Sequence, residues 1–284
     1  MSYFRPSNLA DAVAWLAKND AQIAAGCTDL FPATDGPVLC RPTLDLTAIK
    51  SLRGIRDEGD HWHIGATTTW TDLLRAELPP AFDGLKAAAR EVGSVQIQNT
   101  GTIAGNICNA SPAADGIPPL LTLDAAVELT SANGSRTLSL PSFLLGPGKI
   151  ELSAGEIVSA ISIPKSAVEG RSSFLKLGAR KYLVISISMV AARVVERAGR
   201  ITDIALAVGA CSPVARRLTS VERFLVGKEA TAALTSELSD AIVAQHLAPI
   251  DDVRADRGYR LTAAAELVRR TLGALLDDKE KPEP

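Results

Sequence analysis

Apolar positions along the chain follow two different periods. Leu9, Val13 and Leu16 recur at helical spacing, which predicts a helix over 7–19 capped by Ser7 and ended at Asn19. Residues 22–25 predict a short strand running into a loop that opens at Gly26, and residues 43–46 a second strand after Pro42. Residues 53–57 and 61–65 alternate as a hairpin across Gly59-Asp60. Helices are predicted at 71–74, with Thr71 as cap, and at 82–92. Residues 126–130 and 136–140 pair across Asn133-Gly134, a dipeptide suited to the positive φ of a tight hairpin. Residues 157–163 form one more strand, closed by Pro164.

Between 93 and 118 the periodicity stops. Gly93, Gly101, Gly105 and Gly116, with Ser111, Pro112 and several Asn and Thr residues, predict a long loop. A loop of that length inside a compact domain is either functional or disordered, and Ile97, Ile103 and Ile107 argue for order. Residues 165–171 have linker chemistry. Beyond them, longer strands at 172–177, 185–196 and 201–211 precede helices at about 219–226, 235–246 and 260–276, the pattern of an α+β domain. The expected division is 1–168, 169–276 and a charged, disordered tail at 277–284.

Composition narrows the function classes. With 30 basic and 32 acidic residues, the net charge of −2 gives no footprint for nucleic acid or anionic membrane. No apolar run approaches the ~20 residues of a membrane span. The first residues lack the apolar core of a signal peptide, so a cytoplasmic protein is expected. Cys27, Cys40, Cys108 and Cys211 are scattered, so no iron–sulfur cluster is expected on this chain. His61 and His63 form an H-x-H pair. They read as surface or half-buried histidines flanking Trp62, and no metal site is assigned.

Neither G-x-G-x-x-G nor G-x-x-x-x-G-K-[ST] is present, and no G-x-S-x-G marks a nucleophile. Two other Gly-bearing loops stand out: Ala24-Ala25-Gly26-Cys27-Thr28-Asp29-Leu30, and the run from Thr100 to Asp115 that contains Gly101 and Gly105. Loops of this kind offer backbone N–H groups and short hydroxyls to phosphate oxygens. Each alone also reads as an ordinary turn. Together, and free of Lys and Arg, they point to a diphosphate held between them.

The pair AAGCTDL and TIAGNICNASPAAD resembles the two FAD-diphosphate loops of the flavoprotein (medium) subunit of the xanthine dehydrogenase/carbon monoxide dehydrogenase family of molybdenum hydroxylases. That family reads A-G-G-T-D-L and T-I-G-G-N-I-x-x-A-S-P-x-x-D at these loops. RPTLDLTAI at 41–49, IGATTTWTDL at 64–73, EIVSAISIP at 156–164 and FLKLGARKYLVISISMVAARV at 174–194 follow in the family's order, so the resemblance spans residues 3 to about 275. It implies an α+β fold: a PCMH-type (vanillyl-alcohol-oxidase-like) FAD-binding domain of two α/β lobes, then a CO-dehydrogenase-flavoprotein-like C-terminal domain.

The resemblance also implies residue roles. Ile23, Ala24, Ala25, Gly26, Cys27, Thr28, Asp29 and Leu30, with Thr102, Ile103, Ala104, Gly105 and Asn106, would wrap the diphosphate, Thr28 and Thr102 as hydroxyl donors. Asp115 would bond FAD, and Val158 (or Ile157) would supply an apolar contact. Lys176 and Tyr182 would lie near the isoalloxazine, Lys176 stabilising the reduced anion; their plain readings are a solvent lysine at a strand edge and a half-buried tyrosine. No catalytic residue is assigned with certainty.

By the same resemblance, FAD is the cofactor of this chain, while a molybdopterin cofactor and two [2Fe–2S] clusters belong to a large and a small partner subunit. The implied assembly is a dimer of heterotrimers, a heterohexamer, delivering electrons to NAD⁺, oxygen, a quinone or another external acceptor. Two alternatives stay open at this point: a self-sufficient FAD-dependent oxidase or dehydrogenase on the same fold, and an assembly module without FAD. The second is motivated by Cys27 and Ala104, which stand where the family has glycine. Both add a Cβ near phosphate, which implies a negative φ at each.

Overall fold

The computed structural model describes residues 2–34, 36 and 38–277. Apart from Asp277, the tail expected to be disordered lies outside the described residues. The chain forms two compact units whose segments interleave. The first takes residues 1–76, 92–110 and 125–165; the second takes 77–91, 111–124 and 166–284.

In the first unit, helix Leu9–Leu16 is capped by Asn8, not Ser7. The Asn8 side chain accepts the Asp11 backbone N–H at 2.9 Å. Its buried residues Ala12, Val13 and Leu16 share a core with Leu44 and Leu46. The adjacent sheet is parallel, in the order Tyr3–Phe4, Thr43–Asp45, Gln22–Ala24. The first Gly-bearing loop therefore leaves the C-terminal end of an edge strand.

A five-stranded antiparallel sheet follows, in the order Ile55–Asp57, His61–Gly65, Ile157–Pro164, Ala126–Ser131, Gly134–Ser139. Period-two alternation sorts its faces. Ile64, Ile161 and Val127 stand in register and are fully buried, whereas His63, Ser162 and Ala126 share the opposite face. The expected hairpin forms with its tip one residue earlier, at Ala132-Asn133: Ser131 pairs with Gly134, which opens the second strand at φ +128°.

Helix Trp70–Arg75 is capped by Thr69, not Thr71, in a capping box. Asp72 N–H donates to Thr69 Oγ1 at 3.1 Å, and Thr69 N–H donates to Asp72 Oδ2 at 3.0 Å. The predicted loop at 93–118 contains two short helices instead, Val95–Thr100 and Ile103–Asn109, and a third, Ile117–Thr122, starts at its end. None exceeds seven residues, too short to show a helical period or to hold without packing. Buried Ile103, Ile107 and Leu120 supply that packing.

The second unit is built on an antiparallel sheet of Arg171–Leu177, Ser188–Arg197, Arg200–Gly209 and Arg216–Arg217. Strand Ser188–Arg197 is covered on both faces. Val190, Ala192 and Val194 pack with Val268 and Leu272 of helix Arg257–Asp277, while Met189 and Ala191 pack with Ala88 of helix Asp83–Glu91. Arg193 is buried there because its guanidinium is satisfied, donating to Thr122 O at 3.0 Å and Asp203 Oδ2 at 2.7 Å. The helix expected at 235–246 is broken. A 3₁₀ turn, Ala232–Glu237, precedes Asp240–Ala244, which starts anew under the Ser239 cap. No helix among the described residues is long and apolar enough to cross a membrane.

Candidate functional site

Both Gly-bearing loops border one cavity of about 620 Å³ in the first unit. Ile23, Ala25, Gly26, Cys27, Thr28, Asp29 and Leu30 line it, as do Thr102, Ala104, Gly105 and Asn106. Ala24 and Ile103 do not; their side chains are buried in the core at 5% and 0% exposure. Val158 lines the cavity, whereas its neighbour Ile157 is part of the core beneath. Strand alternation makes that choice between the two.

The loops meet through backbone. A Cβ added to Gly26 would lie 2.2 Å from the Thr100 carbonyl oxygen and 2.8 Å from Gly101 Cα. Only glycine fits so close an approach. Asn109 Nδ2 donates to Asp29 Oδ1 at 3.1 Å and ties the far ends together. Thr102 caps helix Ile103–Asn109, accepting Gly105 N–H at 3.0 Å, so its hydroxyl hydrogen stays available for donation. Backbone bonds from Trp70 N–H to Gly101 O and from Ile103 N–H to Thr68 O fix the second loop.

Among the described residues lining the cavity, Asp29 carries the one charge, and burial raises its carboxyl above the usual range. Cys108 borders the same space, where desolvation pushes its thiol up to about 12, so it stays protonated. Asn106 Oδ1 is buried with no hydrogen-bond partner among the described residues. A buried acceptor of this kind calls for a donor from a ligand or water. Together these features fit FAD: hydroxyls and backbone N–H groups for a diphosphate, an unmatched acceptor, apolar walls.

Sequence reasoning assigned no role to several cavity residues. Thr67 and Trp70 lie inside the quoted 64–73 segment, and Asn109 lies inside the second motif. Their positions in those motifs were the available signal. Leu46 and Ala66 likewise lie inside the quoted 41–49 and 64–73 segments, whereas nothing local marks Leu152.

Cys27 departs from expectation. Its φ is +57°, not negative, which explains why a glycine suits this position. Its Sγ sits 3.5 Å from the Ala25 carbonyl oxygen. Cys27→Gly relieves the left-handed strain, against the greater freedom that glycine gives the unfolded chain. The net expectation is a gain of about 0.5–1 kcal/mol in urea unfolding, with FAD affinity kept.

Other site candidates lie in the second unit. Lys176 Nζ pairs with Asp115 Oδ2 at 2.6 Å, and Ser186 Oγ donates to Asp115 Oδ1 at 2.6 Å. Both charged side chains are under 10% exposed, so Lys176 is no solvent lysine. Burial raises the Asp115 carboxyl, while Lys176 and Ser186 pull it back down. Each carboxylate oxygen of Asp115 is thus already engaged within the unit. Tyr182, at 62% exposure, is more open than a half-buried tyrosine, and Lys181 Nζ lies 5.2 Å from its ring centroid. A second cavity of about 520 Å³ borders Lys176, Arg90, Arg180 and Lys181.

Comparison with known proteins gives this geometry its context. Residues 1–166 match the FAD binding domain in molybdopterin dehydrogenase, and residues 173–275 match the CO dehydrogenase flavoprotein C-terminal domain. The chain is 31% identical over 276 residues to the xanthine dehydrogenase FAD-binding subunit of Escherichia coli O157:H7, covering 95% of this chain and 94% of that one. It is 30% identical to the carbon monoxide dehydrogenase medium chain of Hydrogenophaga pseudoflava, covering 96% of each. Reconstituted CO dehydrogenase from Oligotropha carboxidovorans contains a chain of the same fold, with TM-score 0.89, 27% identity and 97% of each chain covered. The chain therefore belongs to the FAD-binding medium subunits of the xanthine dehydrogenase/carbon monoxide dehydrogenase family of molybdenum hydroxylases.

Proposed function

We propose that the chain is the electron-transfer subunit of a multi-subunit molybdenum hydroxylase, holding FAD between the iron–sulfur clusters of a partner and an external acceptor. The observation that supports this most directly is the cavity where both Gly-bearing loops converge on the unpartnered Asn106 Oδ1. When bound, FAD supplies a centre that takes electrons singly from clusters and releases them in pairs.

The chain's own part is to bind and exclude. Gly26 lets the two loops close on each other, and the Thr28 and Thr102 hydroxyls face a diphosphate without any cation. Val158, Leu46 and Trp70 give apolar walls that keep water from the bound group. Asp115, Lys176 and Tyr182 keep their proposed place as flavin neighbours. Because Asp115 balances the Lys176 charge, the pair offers an ordered dipole rather than a bare cation. The proposed domains are 1–168 for FAD and 169–276 for the C-terminal part, with a large molybdopterin subunit and a small [2Fe–2S] subunit as cytoplasmic partners.

The full chain expressed alone is expected to bind one FAD and to hydroxylate nothing. Adding the two partner subunits is expected to bring substrate-dependent reduction of the acceptor. Substrate turnover by the isolated chain would instead establish a self-sufficient oxidase, and a colourless chain that takes up no added FAD would establish an assembly module.

A further inference from the structure

The fold brings to His61 and His63 a carboxylate from a distant part of the chain. Both histidines lie on strand His61–Gly65 and point to the same face of the five-stranded sheet. In register, His63 stands opposite Ser162, while Ala160, two residues earlier on that strand, stands opposite Glu128. His63, Glu128 and the intervening Ala160 and Ser162 therefore share one face, away from buried Ile64, Ile161 and Val127. Because Ala160 and Ser162 are small, the long side chains of His63 and Glu128 meet above them. His63 Nδ1 lies 3.7 Å from Glu128 Oε1.

One ring nitrogen from each histidine and a carboxylate oxygen of Glu128 lie within 4.8 Å of one another. Zinc–ligand bonds of about 2.0–2.2 Å set tetrahedral ligand separations of about 3.4 Å. Small side-chain rotations close the remaining gap, and side-chain exposures of 16–29% leave room for them. A fourth group supports the cluster: Asp60 Oδ1 lies 2.5 Å from His61 Nδ1 and fixes that ring. Carboxylates in this relation orient ligating histidines in metal sites. Arg56, opposite His63 on the neighbouring strand, is paired with Glu58 at 3.0 Å.

We propose that His61, His63 and Glu128 bind a divalent transition metal ion of the zinc class, with Asp60 as the positioning residue. Two imidazoles and a carboxylate leave one tetrahedral position for water. The ion would link strand His61–Gly65 to strand Ala126–Ser131 across the strand between them, on residues that do not line the FAD cavity.

The test is a Zn²⁺ titration of the full-length, FAD-loaded chain against a chelating dye of micromolar affinity. One ion per chain is expected. His63→Ala and Glu128→Gln should each weaken it at least ~10-fold, and Asp60→Asn by about 10-fold, with FAD content and circular dichroism unchanged. Co²⁺ should give tetrahedral d–d bands without a thiolate charge-transfer band, which separates this site from the cysteines. Three results would overturn the proposal: no binding in the micromolar range, unchanged affinity in the His61→Ala/His63→Ala variant, or a thiolate band with Co²⁺. Loss of FAD binding in the wild-type chain would bear on the proposed function and not on this ion.

Discussion

Replacing Gly26 with alanine is expected to cost the chain its FAD. The new methyl would stand 2.2 Å from the Thr100 carbonyl oxygen and 2.8 Å from Gly101 Cα, both backbone atoms of the facing loop. Neither can swing away as a side-chain tip would, so one loop must be displaced. Overpacking of this kind costs about 1–3 kcal/mol in folding. FAD affinity should fall on the order of 100-fold, about 2.7 kcal/mol, because the displaced loop no longer offers its backbone groups to the diphosphate. Fluorescence titration with FAD reads the affinity, and urea unfolding of the cofactor-free chain reads the stability. The neighbouring Cys27→Gly change should move stability the other way, since it removes a Cβ from a residue at φ +57°. Two adjacent positions with opposite signs make a sharp test; equal effects would mean that the loops do not meet as described.

The buried pair in the second unit carries the other large effect. Lys176→Met removes the cation 2.6 Å from Asp115 and leaves a carboxyl under 10% exposed with Ser186 as its remaining partner. Removing one member of a buried pair costs about 3–5 kcal/mol. The sign of its pH dependence follows from the carboxyl. Burial already raises Asp115, and losing Lys176 raises it further. A raised acid binds its proton in the folded state before the unfolded chain does, so folding is favoured as pH falls and penalised as pH rises through that window. The deficit of Lys176→Met is thus smallest near the ordinary carboxylate range. It grows by about 1.4 kcal/mol per pH unit from the pH where the wild-type carboxyl ionises to the pH where the variant's does. Adding Asp115→Asn removes the charge while keeping an acceptor for Ser186, and should recover most of the loss and flatten the pH profile. Thermal unfolding of the cofactor-free variants between pH 4 and 8 reads all three curves.

The parts of this molecule visible in its sequence are those that short-range chemistry specifies. The Asn133-Gly134 dipeptide located its hairpin to within one residue, Gly134 taking a positive φ where the second strand begins. The long apolar run of Ser188–Arg197 read as a strand, and its burial on both faces explains why it lacks alternation. Caps were harder, since Ser7 and Asn8, or Thr69 and Thr71, are chemically alike. Which one serves depends on where the helix axis lies, and tertiary packing decides that. The three short helices between 95 and 122 left no periodic trace at six or seven residues each. At the cavity, the loops were legible as motifs. Leu152 was not, because it lies outside every such motif and the fold alone brings it to the cavity. The same reason hid Glu128 from His63: sixty-four positions and an intervening strand separate them, while the register brings them to 3.7 Å.

The interleaved segments have a consequence for how the protein is made. Helices Asp83–Glu91 and Ile117–Thr122 leave the ribosome well before the sheet of the second unit that they cover, whose first strand begins at Arg171. Until that sheet arrives, the apolar side of Asp83–Glu91 has no permanent home. A gene split at the 168/169 boundary would produce a C-terminal fragment lacking both helices, with Phe174, Met189 and Ala191 stripped of their cover. Such a fragment would be an aggregation hazard, whereas coexpression of the two halves would let the first lend its helices to the second. The unit of inheritance and the unit of folding are therefore different stretches of this chain.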